Sequence, residues 1–253
     1  MRKLESQKSL QNSNLNKFGL FYEKTFGKLV PRYAILSLIF CILLQIFAFF
    51  LTRLIINLYM PIADRFFMET HLDHKIPLLQ SFVTIYFLAY ALWVINFILA
   101  TRTTKEHWSK CAFSYILGLV VTIIIFLAVP STMNRPEITG NGFFDGWMKL
   151  LYFLDEPTNL FPSLHCFTSM ISFLWISKIK NIHISYKAFA LIFAILVFAS
   201  TLFVKQHCIV DVFLGIALAF LCYWVSKLIK NFNFFIRIFD RLDALLFIKK
   251  EKN

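Results

Sequence analysis

Long apolar stretches broken by short polar ones run through this chain of 253 residues. A helix needs about 20 apolar residues to cross the hydrocarbon core of a bilayer. Runs near that length fall at 33–52, 77–100, 111–130, 163–178, 186–204 and 209–229. They predict an all-α integral membrane fold with six transmembrane helices. The fourth run is the shortest and opens on Ser163 and His165, so hydropathy alone rates it weakest. The first run starts too late and is too long for a cleavable signal peptide, so the N-terminal segment is expected to stay. Beyond 229 the pattern changes. Phe232, Phe235, Phe239, Leu242 and Leu246 recur at helical spacing with Lys and Arg between them. That predicts an amphipathic helix lying on the cytoplasmic membrane surface. Segment 53–75 is half apolar and suits the outer interface. The expected organisation is a cytoplasmic tail (1–32), a six-span catalytic membrane domain (33–229) and a cytoplasmic amphipathic tail (230–253).

Composition strengthens this picture. The chain is 58% hydrophobic and only 16% charged, whereas a soluble domain is about half apolar and about a quarter charged. Lys and Arg number 26 against 14 acidic residues, a net charge of +12. In a soluble protein such an excess would point to nucleic acid; in a membrane protein it first reports topology. Twenty of the 26 lie in the two tails and in the loops 101–110 and 178–187, leaving six for 53–75, 131–162 and 205–208. The positive side is cytoplasmic, so both termini are expected inside and the other three loops outside. The charge then serves anchoring, with the bilayer and no nucleic acid as partner. No phosphate-binding glycine loop or internal repeat is present. Cys41, Cys111, Cys166 and Cys222 fall in or beside apolar runs and Cys208 adjoins a polar turn, an odd set with no disulfide or zinc pattern.

The informative positions are costly residues that interrupt the runs. Asp211 lies at the start of the sixth run, where a buried carboxylate costs up to about 3 kcal/mol unless it has a partner. His207 stands four residues earlier, one helical turn away, so the carboxylate can hold one ring nitrogen and leave the other free and more basic. Alone, the pair has a second reading, as a structural cap of the sixth helix. A second histidine, His165, follows Pro162-Ser163, a plausible helix start with Ser163 as N-cap, and a helix N-terminus attracts anions. The same outer loop carries Arg135. Two histidines, an aspartate, an arginine and a helix N-terminus on one membrane face make a phosphate site with an acid and a nucleophile.

These residues resemble the motifs of the type-2 phosphatidic acid phosphatase superfamily of membrane lipid phosphatases, written K-x6-R-P, P-S-G-H and S-R-x5-H-x3-D. The chain has Arg135-Pro136, Pro162-Ser163-Leu164-His165, and Ser200, His207 and Asp211 at the family spacing. The six-span layout is also similar to the family's. The resemblance implies that His207 attacks phosphorus to form a phosphohistidine, oriented by Asp211. It implies that His165 is general acid and then general base, and that Arg135, Lys205, Ser163 and Ser200 bind the phosphoryl oxygens. No metal or other cofactor is implied. The departures are Ala128 for the motif lysine, Thr201 for the motif arginine and Leu164 for the glycine. They bring the chain closer to the branch similar to inositol phosphorylceramide and sphingomyelin synthases. Lys205 is the expected replacement cation, with Lys149 a weaker candidate.

Asp155, Glu156 and Asn159, just before the fourth run, stand where a headgroup would be read or form a polar turn; Asn159 is counted as substrate-binding. His71, Asp73 and His74 look like metal ligands, but three polar residues in an outer loop are more often solvated. The function expected is hydrolysis of a membrane lipid phosphate of the phosphatidic acid, phosphatidylglycerophosphate or polyprenyl diphosphate class. It would take place on the extracytoplasmic side of the cell membrane. The alternatives are transfer of the phosphoryl or phospho-headgroup to another alcohol and, from a different class, a proton-coupled transporter, whose inverted repeats and broken helices the sequence does not display.

Overall fold

A computed structural model describes residues 14–249. The expectations for residues 1–13 and 250–253, with Arg2, Lys3, Lys8, Lys250 and Lys252, lie outside the described residues. The fold is helical. It begins with α1 (Lys17–Thr25) and continues with α2 (Arg32–Ile46), which runs through a π-helical turn at Phe47–Leu51 into α3 (Thr52–Tyr59). The short α4 (His71–Lys75) precedes α5 (Val83–Thr101) and α6 (Lys105–Ala128). Then come α7 (Phe143–Leu154), α8 (Leu164–Ser177), α9 (Ile184–Phe203), α10 (Ile209–Leu228) and α11 (Asn233–Phe247).

Five helices among the described residues are long and apolar enough to cross a membrane: Arg32–Tyr59, Gln80–Thr101, Lys105–Ala128, Ile184–Phe203 and Ile209–Leu228. The fourth apolar run instead forms α8, a helix of 14 residues. At 1.5 Å rise per residue it is about 21 Å long, short of the ~30 Å hydrocarbon core. The reason for its apolarity is different. α8 packs against α5, α6, α9 and α10, and twelve of its residues, among them His165, Phe167, Ile171 and Trp175, are buried in the bundle. Its greasiness thus fills a protein core. Gly118 on α6 and Gly215 on α10 make room for it: a Cβ at Gly118 would meet the Phe167 ring at 2.0 Å, and one at Gly215 would meet the Ser163 carbonyl at 2.5 Å.

Beyond 229 the chain forms α11, whose apolar side is used partly on protein. Phe232 packs edge-on against Phe113 of α6 and Phe239 against Phe40 of α2. Arg32 pairs with Asp243 at 3.0 Å, Lys105 pairs with Asp240, and the Asn16 amide donates to the Phe247 carbonyl. At the opposite end of the bundle, two short parallel strands, β1 (Phe66–Phe67) and β2 (Ser131–Thr132), join the segments after α3 and α6. The buried Arg65 guanidinium fastens them by donating to Thr158, Asn57 and the Met60 carbonyl. This cap holds the loop that leads into α8.

Candidate active site

The site forms where the N-termini of α8 and α10 meet. Ser163 caps α8, accepting the Cys166 amide at 3.3 Å, and its own amide donates to the Asp211 carbonyl at 3.0 Å. Cys208 is the N-cap of α10, and the Cys208 amide donates to the Asp211 carboxylate at 2.8 Å. Both helices therefore turn their N-terminal, partly positive ends toward one place.

The turn before α10 delivers His207. At the end of α9 the Lys205 amide donates to Leu202 and the Gln206 amide to Thr201, the bond pair of a Schellman cap. Lys205 takes the left-handed position of that cap, with φ 55°, where glycine is usual. The His207 amide also donates to the Thr201 carbonyl, which fixes the backbone on which the imidazole sits. His207 Nδ1 lies 3.5 Å from Oδ2 of the fully buried Asp211. Its Nε2 has no protein hydrogen-bond partner. Asp211 thus combines both sequence readings: it caps its own helix and it faces the ring. The rings of His165 and His207 are 6.2 Å apart, centroid to centroid.

Two cavities meet at His207. One, of about 360 Å³, runs among Phe49, Phe50, Phe87 and Phe126 and ends on Asp155, Asn159, His165, Gln206 and His207. The π-helical turn supplies its Phe49 and Phe50; such turns recur at functional sites. The other, of about 460 Å³, has the charged side chains of Glu69, Asp73, Arg135 and Lys205 on its wall together with His207.

The remaining expected residues divide. The Arg135 guanidinium stacks on Tyr152 at 4.9 Å and donates to the Asp155 carbonyl and to the Gln206 side chain. Burial pulls its pKa down against the attraction of Asp155, and burial pushes the Asp155 carboxyl up against the attraction of Arg135. Asn159, at φ 62°, lines the apolar cavity and donates to Thr52 at 2.8 Å. Ser200 lines neither cavity, and its hydroxyl donates to the Val197 carbonyl. The Lys205 ammonium is directed to the carbonyls of Asp73 and Ile76, at 2.9 and 2.6 Å, where it holds α4 against the site. Lys149 reaches the Gly140 carbonyl, away from both cavities. Asp73 spends its carboxylate on the Thr70 and Ile209 amides, and among the described residues no three His, Cys, Asp or Glu side chains are grouped to hold a metal ion.

Three contributors escaped the sequence reading. Gln206 directly precedes His207, and its accepted bond from Arg135 turns its amide nitrogen toward the remaining space. Arg53 donates to the Leu154 carbonyl beside Phe49 and Phe50 at the apolar cavity; by position it had counted only as a topology signal. Tyr86 stacks on His165 at 4.1 Å, and nothing in an apolar run distinguishes such a tyrosine. Arg135 Nε, Gln206 Nε2, His165 Nε2 and Asn159 Oδ1 are buried without a protein partner. Buried polar groups are rarely left so. A phosphoryl group beside the histidines would offer acceptors to the nitrogen donors among them.

Residues 134–235, which hold Arg135, His165, His207 and Asp211, match the family model of the PAP2 superfamily. No curated protein and no solved structure matches the chain. The match supports phosphatase-type phosphoryl-transfer chemistry, and the apolar helices support a multi-pass membrane protein.

Proposed function

We propose that the chain is a metal-independent lipid phosphatase acting at the outer membrane face through a phosphohistidine. The observation that carries this reading is the pairing of His207, its Nδ1 facing Asp211 and its Nε2 free, with His165 6.2 Å away on the wall of the same apolar cavity. His207 Nε2 attacks phosphorus and the bond to the lipid oxygen breaks, while the proton on His165 Nε2 passes to that oxygen. Water then attacks the phosphohistidine, His165 takes its proton, and the P–N bond breaks to release phosphate. Asp211 holds the His207 ring and offsets the charge it acquires. Arg135 and the N-terminus of α8 bind the equatorial oxygens, where each aligned donor contributes about 3–4 kcal/mol. Ser163 acts through its helix terminus, and Lys205 and Ser200 act one contact further back. Asn159 reads the headgroup from the apolar cavity.

The cavity's phenylalanines suit acyl or prenyl chains, which supports phosphatidic acid, phosphatidylglycerophosphate or a polyprenyl diphosphate as substrate. In this reading α8 completes six membrane segments despite its length. The basic excess holds both termini in the cytoplasm, and α11 rests at the inner interface. A second reading keeps the intermediate and passes the phosphoryl or phospho-headgroup to another alcohol. Leu164 in Pro162-Ser163-Leu164-His165 supports it, as the feature similar to inositol phosphorylceramide and sphingomyelin synthases.

The test uses purified full chain with phosphorus-labelled phosphatidic acid, phosphatidylglycerophosphate and polyprenyl diphosphate in mixed micelles. Free phosphate identifies a hydrolase and a new labelled lipid a transferase. His207→Ala and His165→Ala are expected to abolish turnover of whichever lipid is used, and EDTA to leave it unchanged. Turnover by His207→Ala, or loss in EDTA, sinks the proposal.

A further inference from the structure

Tyr86 projects from α5 into the site and touches two of its groups. Its hydroxyl lies 2.7 Å from Asp155 Oδ2 and 3.3 Å from His165 Nδ1. Its ring is stacked on the His165 ring, 4.1 Å apart and 30° from parallel. Trp93 and Tyr90, also from α5, close the other sides of His165, at 5.1 and 5.5 Å. Asp155 is held in turn by its backbone, whose carbonyl accepts from Arg135.

Counting protons decides the direction of these bonds. A tyrosine hydroxyl has one proton to give, and an ionised carboxylate can only accept. At 2.7 Å the Asp155 bond is the shorter of the two, so it takes that proton. The Tyr86 oxygen then has lone pairs left, and the neighbouring ring nitrogen must bring its own proton to it. His165 therefore carries hydrogen on Nδ1. Its Nε2, buried and without a protein partner, becomes the nitrogen that gains and loses the catalytic proton. Asp211 faces His207 Nδ1 at 3.5 Å without a hydrogen bond between them, so the link through Tyr86 is the closer of the two carboxylate–histidine connections.

We infer that Tyr86 is a positioning residue: its hydroxyl links Asp155 to His165 Nδ1, fixes the imidazole tautomer, and so reserves His165 Nε2 for the lipid oxygen and then for the attacking water. The inference rests on the phosphohistidine reading for the task given to Nε2, but the tautomer stands on the hydrogen bonds alone. Over a turnover the chain of bonds only polarises. His165 enters turnover as the imidazolium, with its second proton on Nε2; that proton leaves for the departing lipid oxygen and is replaced by one from water, while the Nδ1 and Tyr86 protons stay where they are. Tyr86 does not touch phosphate, so it governs kcat and leaves substrate binding alone.

Nitrogen-15 histidine NMR on the detergent-solubilised full chain, with His165 assigned by its loss in His165→Gln, reports the protonated nitrogen directly. At a pH where Asp155 is ionised and His165 neutral, the expected result is hydrogen on Nδ1 in the wild type and loss of that preference in Tyr86→Phe, which keeps the ring stack. Asp155→Asn retains an acceptor for the hydroxyl, so it keeps the tautomer while losing the charge. With the lipid that the wild type turns over, Tyr86→Phe should lower kcat roughly 10- to 100-fold, part of what general acid–base catalysis supplies, with KM nearly unchanged. Tyr86→Phe/Asp155→Asn should be no worse than Tyr86→Phe alone, because both act through one chain of bonds. Hydrogen on Nε2 and not on Nδ1 of the neutral wild-type ring, an unchanged tautomer in Tyr86→Phe, or additive losses of kcat overturn the inference. Should Tyr86→Phe fail to fold, the wild-type tautomer and Asp155→Asn kinetics still decide it. Retained turnover in His207→Ala would instead overturn the phosphohistidine reading and leave the tautomer result intact.

Discussion

Asp155 is the residue whose behaviour departs furthest from what its neighbours in sequence suggest. It reads as part of a polar turn; in the fold it accepts from Tyr86, and burial pushes its carboxyl up in spite of Arg135. A carboxyl held higher in the folded than in the unfolded state binds its proton more tightly when folded. Its stabilising contribution is complete below the ordinary aspartate range near pH 4 and is lost as pH rises through the raised folded value. Asp155→Asn is therefore expected to gain thermal stability relative to wild type as pH increases through that interval, in unfolding scans from about pH 4 to pH 8. A constant difference across the scan would contradict the raised carboxyl. His165, His207, Asp211 and Ser163 were legible because their chemistry violates an apolar background. Gln206 and Tyr86 were not, because neither residue type is out of place where it stands. For Lys205, charge and proximity predict a phosphate contact, whereas the left-handed cap at the end of α9 directs its ammonium to the carbonyls of α4 and Ile76.

At the scale of elements, apolar length located three of the five long spans to within about three residues; the first continues through α3 to Tyr59, seven residues past its run, and α6 starts earlier than its run because Lys105 to Lys110 form its polar first turns behind the Thr104 cap. What length could not reveal was that α8 is greasy for the sake of neighbours rather than lipid. Two glycines bear on this contrast. At Gly215 an added methyl meets the Ser163 backbone, which cannot yield without moving the start of α8. At Gly146 on α7 nothing lies within 4 Å. Gly215→Ala is expected to cost most of the activity and several °C of thermal stability, whereas Gly146→Ala should be neutral or stabilising by about 0.5–1 kcal/mol through helix propensity. Thermal unfolding and turnover of the two variants side by side check this; equal effects would mean that α8 and α10 are not so closely apposed.

For the whole molecule, the described helices are tied at one end by the β1–β2 cap and at the other by α11. The pair Arg32–Asp243 joins α11 to the start of α2, and burial already pushes the Asp243 carboxyl up against the pull of Arg32. Arg32→Met leaves a partly buried carboxylate unpaired, which is expected to cost on the order of 2 kcal/mol. Adding Asp243→Asn should restore much of that, since the double change removes both charges. Stability measured in detergent for the two single variants and the double one tests whether α11 is fastened here; strictly additive losses would argue that it is not. The charge count that separated the two faces of the chain had already placed these residues on one side, but only the fold shows that some of them bind each other.

The enclosure of α8 bears on how the protein is made. A helix of about 21 Å, wrapped by α5, α6, α9 and α10, gains little from lipid on its own and most from partners, two of which are synthesised after it. Ser163 and His165 lie at its N-terminus and His207 arrives with the turn into α10. Completion of the site is thereby coupled to the end of synthesis: a chain halted before the turn into α10 lacks His207, Asp211 and the helix on which the start of α8 is seated, so under the proposed function it stays inactive while it is still being assembled.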